Sequence, residues 1–297
     1  MTEFLTTREL AAMLRVKERK IYEMASDGTL PVRRVTGKLL FPRDEIEAWI
    51  VSNGAEAKPA RSERPASAAA PAIIVGGHDP LLEWALRESR SGIAALLDGA
   101  LDALQRGPGE DYVAAGLHIP ERENDGWNVA AVSEAFADQP IVLIEWAKRT
   151  RGLIFRTDLG RSIGSLRAAR GLRFQSRQKQ SGSEMVLAQL LERDGLRIED
   201  LHCVETVERT EADLAMAIAD GKADVGLGIE AMARQCRQGF TPLIVERFDL
   251  LIWRKAYFDP PMQKLLRFCA SEAFVRRASE LGGYDVTDFG AVHFNGP

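Results

Sequence analysis

The stretch that most limits how this chain folds is AEAKPARSERPASAAAPA, residues 55–72. It holds Pro59, Pro65 and Pro71 but no Val, Ile, Leu or aromatic residue. Such a segment cannot bury a core and reads as a linker; a flexible coil of about 18 residues spans about 23 Å r.m.s.. The 297 residues therefore divide into a head (1–54), a linker (55–72) and a larger unit (73–297) of a size for a two-lobed α/β domain.

Composition narrows the class. With 45% hydrophobic and 28% charged residues it is that of an ordinary globular protein. No run approaches 18 apolar residues and no basic-then-apolar leader opens the chain, so the expected location is the cytoplasm. Cys203, Cys236 and Cys269 are odd in number and widely spaced, as for reduced thiols rather than a disulfide framework.

In the head, Thr6 and Thr7 stand where a cap is needed before Leu10, Ala11 and Leu14 on one helical face. Lys17 to Ala25 reads as a second helix, with Ile21 and Met24 inward. Gly28 and Pro31 end it. VRRVTGKLLFP predicts two strands about a turn at Thr36-Gly37, and Asp44 precedes a third helix carrying Ile46, Trp49 and Ile50. This is the outline of a winged helix-turn-helix. Residues 1–54 hold nine Lys/Arg against eight Asp/Glu, so the acidic excess of the chain lies further on. The basic side chains gather: Arg15, Lys17, Arg19 and Lys20 at the second helix, and Arg33, Arg34, Lys38 and Arg43 in the wing region. Cations so placed reach phosphates and groove edges of double-stranded DNA. The alternative is a solvated charged face on a small interaction domain.

The segment LTTRELAAMLRVKERKIYEMASDGTLPVRRVTGKLLFPRDEIEAWI resembles the excisionase-type helix-turn-helix domains related to the MerR regulators. The resemblance implies that the second helix enters the major groove. Lys17, Glu18, Arg19, Lys20 and Tyr22 then meet DNA, with Arg33, Arg34 and Lys38 of the wing on the backbone. Lys17 replaces the small capping Ser common in that family.

Beyond the linker, AIIVGGHDPLLEWALRE reads as strand, Gly turn and helix. The chain then alternates: helix Ile93–Gln105, strand Tyr112–Leu117, helix Val129–Ala137, strand Ile141–Glu145 and a strand near Leu153–Phe155. The βαβα order predicts a mainly parallel sheet. Ser181-Gly182-Ser183 precedes an amphipathic helix with Arg177 and Lys179 nearby, a place for an anion or a plain Ser cap. A helix, a turn and the strand Ala223–Gly228 follow. LIVERFDLLIWR reads as a strand pair, and the segment from Lys264 as one terminal helix. There is no GxGxxG or GxxxxGKS/T phosphate motif.

These features are similar to type II periplasmic-binding-protein-like domains, especially those resembling molybdate-binding proteins. The likeness is carried by GGHDPLLEWAL, YVAAGLHIP, RTRGLIF, RQKQSGSE, GKADVGLGIEA, ERFDLLI and LGGYD. It implies lobe one at 73–150 with 248–297, lobe two at 151–247, and an oxyanion such as molybdate or tungstate clamped between them. The residues carried over are Gly77, His78, Asp79, Ser181, Gly182, Ser183, Gly228, Ile229 and Glu230, with Arg177 beside them. Gly77 replaces a serine of the periplasmic binders, and the tyrosine they place near Ile229-Glu230 is missing. A carboxylate at Asp79 or Glu230 repels a dianion unless it turns away, so a ligand bearing an ammonium or several hydroxyls stays open.

His202-Cys203 has no second pair to make a metal site. Glu208 and Glu211 read as solvated carboxylates on an exposed helix. No Ser-His-Asp order or GxSxG appears, so neither an enzyme nor a bound cofactor is expected. The fold class expected is α/β: a winged helix-turn-helix plus a two-lobed binding domain, forming a one-component transcriptional regulator that acts as a homodimer or higher homo-oligomer. A different metabolite as effector, an excisionase-type DNA-architecture factor with no effector, and an enzyme on the binding-protein fold are the alternatives.

Overall fold

The computed structural model describes residues 4–14, 16–26, 30–35, 38–53, 71–97, 99–109, 111–121 and 126–297. It separates into two compact units, Met1–Ala68 and Ala69–Pro297. Most of the linker read from sequence, Arg15, Gly28 and the Thr36-Gly37 turn lie outside the described residues.

The first unit runs β1 (Phe4–Thr6), α1 (Thr7–Leu14), α2 (Glu18–Ser26), β2 (Arg33–Val35), β3 (Lys38–Pro42) and α3 (Arg43–Asn53). Thr6 and Glu9 form a reciprocal cap. The Glu9 N–H donates to the Thr6 hydroxyl at 3.3 Å, and the Thr6 N–H to the Glu9 carboxylate at 2.8 Å. Strand β1 was not foreseen: three residues are too few for periodicity, and only pairing with β3 makes it a strand, Leu5 facing Phe41. The sheet order is β1-β3-β2, all antiparallel. Leu10, Ile21, Phe41 and Ile46 are fully buried at the centre, so each helix and the sheet contributes to one small core. Helix α3 starts at Arg43, which puts Asp44 in its first turn rather than at its cap; there a carboxylate still favours the positive end of the helix dipole.

The second unit runs β4 (Ile73–Gly76), α4 (Pro80–Glu88), β5 (Ala94–Leu96), α5 (Ala100–Gln105), β6 (Ala114–Leu117), α6 (Val129–Phe136), β7 (Ile141–Phe155), β8 (Arg173–Arg177), α7 (Gly182–Arg193), β9 (His202–Glu208), α8 (Glu211–Ala219), β10 (Val225–Ile229), α9 (Glu230–Gln235) and β11 (Gly239–Trp253). The chain closes with α10 (Arg254–Tyr257), α11 (Pro260–Cys269), α12 (Glu272–Leu281), β12 (Tyr284–Asp285) and β13 (Val292–Asn295). A ten-stranded sheet has the order β5-β4-β6-β11-β7-β10-β8-β9, with β12 and β13 also on β7.

Strands β7 and β11 organise this unit. Each is 15 residues long, and they pair antiparallel along nearly their full length. The two strands expected at 141–145 and 153–155 are one strand, and so is the expected pair within LIVERFDLLIWR. The charges within them are compensated: Glu246 stands opposite Arg149 across the pair, while Arg247 and Lys148, which face each other, are paired with Asp249 and Asp288. The sheet is also mixed rather than mainly parallel. β4 pairs parallel with β5 and β6, and β8 with β9 and β10, but β6/β11, β11/β7 and β10/β7 are antiparallel.

Two helices also came out differently. The stretch 93–105 contains the edge strand β5 before α5, because Ala94–Leu96 pair with Ile73–Val75. The terminal helix is two, parted at Ala270-Ser271. One apolar layer under α4, α8, α9, α11 and α12 runs along both halves of the sheet. Separate layers lie under α5 and α6 (Val75, Leu117, Phe136, Leu251) and under α7 (Phe174, Leu187, Leu190, Val225). The two halves thus have their own cores on one face and share one on the other.

Candidate ligand site at the middle of β7 and β11

The centre of β7 reads Arg149-Thr150-Arg151. On a strand, residues two apart share a face, and both arginines are buried, at 1% and 0% exposure. Their partners come from different elements. The Arg149 Nη1 donates to Asp79 Oδ2 at 2.9 Å, and its Nη2 pairs with Glu246. Arg151 grips Glu246 with two hydrogen bonds, 2.7 Å from Nε and 2.9 Å from Nη2, and also donates to Glu211 Oε1 at 2.8 Å. Arg177 lies 3.0 Å from that same Glu211 oxygen, and the Ser183 hydroxyl donates to it at 2.9 Å. The result is an alternating chain: Asp79, Arg149, Glu246, Arg151, Glu211, Arg177.

Burial raises the energy of both central carboxylates, but the arginines outweigh it. Glu211, beside Arg151 and Arg177, and Glu246, beside Arg149 and Arg151, are held below the usual carboxylate range. His78 and His118 shift the other way: burial pushes both imidazoles down, against the pull of nearby carboxylates. His78 Nδ1 accepts from the Glu211 N–H at 3.3 Å, so its proton sits on Nε2, 3.6 Å from Glu83. The three guanidiniums and three carboxylates cancel, and with neutral histidines the cluster carries no net charge.

Helix N-termini converge here. Asp79 caps α4, Ser181 caps α7, and Thr210 caps α8 directly before Glu211. The two halves of the sheet meet across the cluster. A Cβ on Gly182 would lie 2.5 Å from the His118 carbonyl oxygen, and the Leu101 N–H donates to the Gln180 carbonyl at 3.2 Å.

Of the ligand residues predicted from sequence, the structure gathers His78, Asp79, Arg177, Ser181, Gly182 and Ser183 around this cluster, with Gly77 packed against the His118 ring. Asp79 is turned inward, accepting from the Leu82 N–H, Trp146 Nε1, Arg149 and the Tyr284 hydroxyl. Gly228 and Ile229 are β10 backbone beside Gly152 and Arg151. Glu230 is half-buried and bonds Arg234 at 2.6 Å, one turn along α9. Glu211 corrects the reading of a solvated carboxylate. It begins α8 and is 1% exposed, because Arg151 and Arg177 come from strands far away in sequence. Arg149, Arg151, His118, Glu246 and Tyr284 were missed as site residues. Arg149 and Arg151 carried a signal, two basic residues on one face between the apolar ends Ile141–Ile144 and Leu153–Phe155; His118, Glu246 and Tyr284 carried none in their own neighbourhoods. Among the described residues, no group of three or more His, Cys, Asp and Glu side chains is placed to hold a metal.

In the first unit, Lys17, Glu18, Arg19 and Lys20 are exposed at the start of α2, and Tyr22 is 53% exposed while its neighbour Ile21 is buried. Arg33 is exposed and paired with Glu45 at 2.6 Å. The side chains of Arg34 and Lys38 lie outside the described residues. No helix among the described residues is long and apolar enough to cross a membrane.

Two sheet halves threaded by a shared strand pair, with a polar cluster where they meet, define a two-lobed ligand-binding protein. The comparisons agree with that class. Residues 82–270, more than half of the chain, match the PBP superfamily domain, and residues 4–53 match a helix-turn-helix domain. The chain belongs to the PBP superfamily domain family and carries a DNA-binding helix-turn-helix domain at its N-terminus. It is 22% identical to the protein YvgK of Bacillus subtilis (strain 168), over 98% of both chains. It is 32% identical over 80 residues to a protein from the ferredoxin 2Fe-2S gene 5′ region of Clostridium pasteurianum, covering 27% of this chain and 71% of that one. Among solved structures, the OxyR C206 mutant of Corynebacterium glutamicum aligns with a TM-score of 0.45 and 13% identity, over 93% of this chain and 90% of that one. The CcmR regulatory domain of Synechocystis PCC6803, in complex with 2-PG, aligns with a TM-score of 0.43 and 14% identity, over 64% and 94%.

Proposed function

We propose that the chain is a cytoplasmic one-component transcriptional regulator, active as a homodimer or higher homo-oligomer, whose helix-turn-helix head is governed by a small ligand held between the lobes. The observation that carries this reading is the meeting of three arginines and three helix N-termini in one buried cluster at the middle of β7 and β11. A ligand there touches both lobes at once, so its binding shifts their equilibrium. The proposed division puts residues 1–54 in the head and 55–72 in the linker. Lobe one takes 73–150 with 248–297, and lobe two 151–247. The role is sensing rather than catalysis.

The effector class proposed first is an oxyanion, with molybdate or tungstate as the leading candidates. It is supported by Arg149, Arg151 and Arg177 and by the hydroxyls of Ser181 and Ser183. Glu211 and Glu246 in the same cluster favour a second reading, a metabolite that carries an ammonium or hydroxyls beside its anionic group. A thermal-shift comparison on the full chain separates the two. At a hundredfold excess over its dissociation constant, the true effector adds about 2.7 kcal/mol of stability. No response to molybdate, tungstate, sulfate or phosphate sinks the oxyanion assignment, and a response to an amino acid or polyol supports the second reading. For the head, Lys17, Glu18, Arg19, Lys20 and Tyr22 are the proposed groove contacts, with Arg33, Arg34 and Lys38 on the backbone. Arg19→Ala and Lys20→Ala are expected to weaken operator binding, each lowering the slope of log K against log salt by about 1 if it meets a phosphate. Unchanged affinity in both rejects α2 as the recognition helix.

A further inference from the structure

Glu211 is held in a manner unusual for a protein carboxylate. A single oxygen, Oε1, takes Arg151 at 2.8 Å, Ser183 at 2.9 Å and Arg177 at 3.0 Å, while Oε2 has only a 3.5 Å contact with Arg151. Two guanidiniums and a hydroxyl in the first turn of a helix are the donors expected around a bound oxyanion. Two of the arginines also keep an unused donor, although Arg177 spends its Nε and Nη2 on the Glu208 and Arg209 carbonyls. The Arg177 Nη1 has no aligned hydrogen bond despite its nearness to Glu211, and Arg149 Nε has no acceptor, although both residues are at least nine-tenths buried. Buried donors left without acceptors cost free energy, and the Glu211 carboxylate, fixed at the start of α8, leaves its own Oε2 nearly idle while the Arg177 Nη1 stays unsatisfied.

We propose that Arg151, Arg177 and Ser183 form an anion subsite that the chain fills with its own Glu211 carboxylate, and that an oxyanion effector enters by displacing it. This rests on the oxyanion reading above. Displacement is required by charge. The cluster is neutral with Glu211 in place, so adding an anion without moving Glu211 would bury uncompensated negative charge. Glu211 is placed to yield. It is the first residue of α8, and the Thr210 hydroxyl already caps that helix by accepting the Asp213 N–H at 3.0 Å, so its side chain can turn away without unravelling the turn. It is also placed to report the exchange, because its own N–H donates to His78 beside the Gly76-Gly77 turn. The internal carboxylate acts as a competitor that sets a threshold: weak anions fail to dislodge it, and only one whose acceptors also satisfy the idle Arg177 Nη1 succeeds.

The test uses the full chain, with molybdate, sulfate and phosphate as calorimetric probes at constant ionic strength. Glu211→Gln keeps the shape and removes the competing charge. It is expected to bind at least one probe tenfold or more tighter than the unaltered protein, and Arg177→Met added to it is expected to abolish the gain. If the unaltered protein binds a probe and E211Q binds it equally or more weakly, the subsite is overturned while the oxyanion reading stands. If neither binds any probe, both fall. If E211Q alone binds, the displaced-carboxylate subsite is upheld and these three probes are excluded as effectors. Arg177→Met returns the cluster to its original net charge, so a gain that survives it does not depend on Arg177 and overturns the subsite. Should E211Q fold only with a probe present, that dependence supports the subsite. Should it not fold at all, Glu211→Asp keeps the charge but shortens the reach, and a smaller gain in affinity is expected; unchanged affinity in E211D overturns the proposal.

Discussion

Arg151 sits between two carboxylates, with Glu246 bidentate on one side and Glu211 on the other, and has no exposed surface. A buried pair of this kind is a weak source of net stability, because desolvation offsets most of the attraction. Losing one partner is another matter. Arg151→Met leaves one buried negative charge uncompensated, shared between Glu246, still beside Arg149, and Glu211, still beside Arg177, and a loss of about 3–5 kcal/mol is expected in urea unfolding. A loss under 1 kcal/mol would mean that solvent reaches the cluster. Asp79 is a second case: its carboxylate receives four donors, which leaves little capacity for a ligand and marks it as an anchor of Arg149 and of the α4 N-terminus.

At the scale of elements, the crossing of β7 with its neighbours leaves no room for side chains at one point. Gly152 lies between β10 and β11, paired with Gly228 and Pro242, and a Cβ there would stand 2.0 Å from the Thr241 carbonyl oxygen. Gly152→Ala forces backbone apart, so a cost of about 1–3 kcal/mol is expected, read as a lowered melting temperature of the binding unit. In the head, the Thr6–Glu9 reciprocal cap is the device that starts α1. Thr6→Ala is expected to cost about 1 kcal/mol of head stability, measured by circular dichroism. An unchanged melting curve would show that β1–β3 pairing alone holds the turn.

For the whole molecule, the buried histidines govern the response to acid. His78 and His118 have folded pKa values lowered from 6.5, chiefly by burial. Above pH 6.5 both states are neutral at these sites and nothing is lost. Below it the unfolded chain takes up protons that the folded chain refuses. Stability therefore falls as pH drops from 6.5, by up to about 1.4 kcal/mol per pH unit for each histidine until its folded pKa is reached. Glu211 and Glu246 add a further loss only below 4.5, where the unfolded carboxylates protonate first. A urea midpoint that is flat between pH 8 and 7 and declines from 6.5 to 5 is expected. His118→Gln should reduce the decline, and a midpoint unaffected by pH in this window refutes the neutral assignment.

What the sequence by itself determined is what depends on neighbours along the chain. The helices of the head follow from apolar spacing and the cap at Thr6. The helix starts at Pro80 and Gly182 follow from Asp79 and Ser181, and the division into two units follows from a segment with nothing to bury. The tertiary structure decided everything that depends on partners distant in sequence. Arg149 and Arg151 look like a break between two strands until Glu246, some 95 residues away, faces them across β11 and makes one long strand possible. Glu211 looks solvated until Arg151, Arg177 and Ser183 close on it. Local pattern sets which residues are helical or extended, because propensity and capping act within a few positions. A charge can enter the interior only where its counter-charge waits, and the topology of β7 and β11 puts it there.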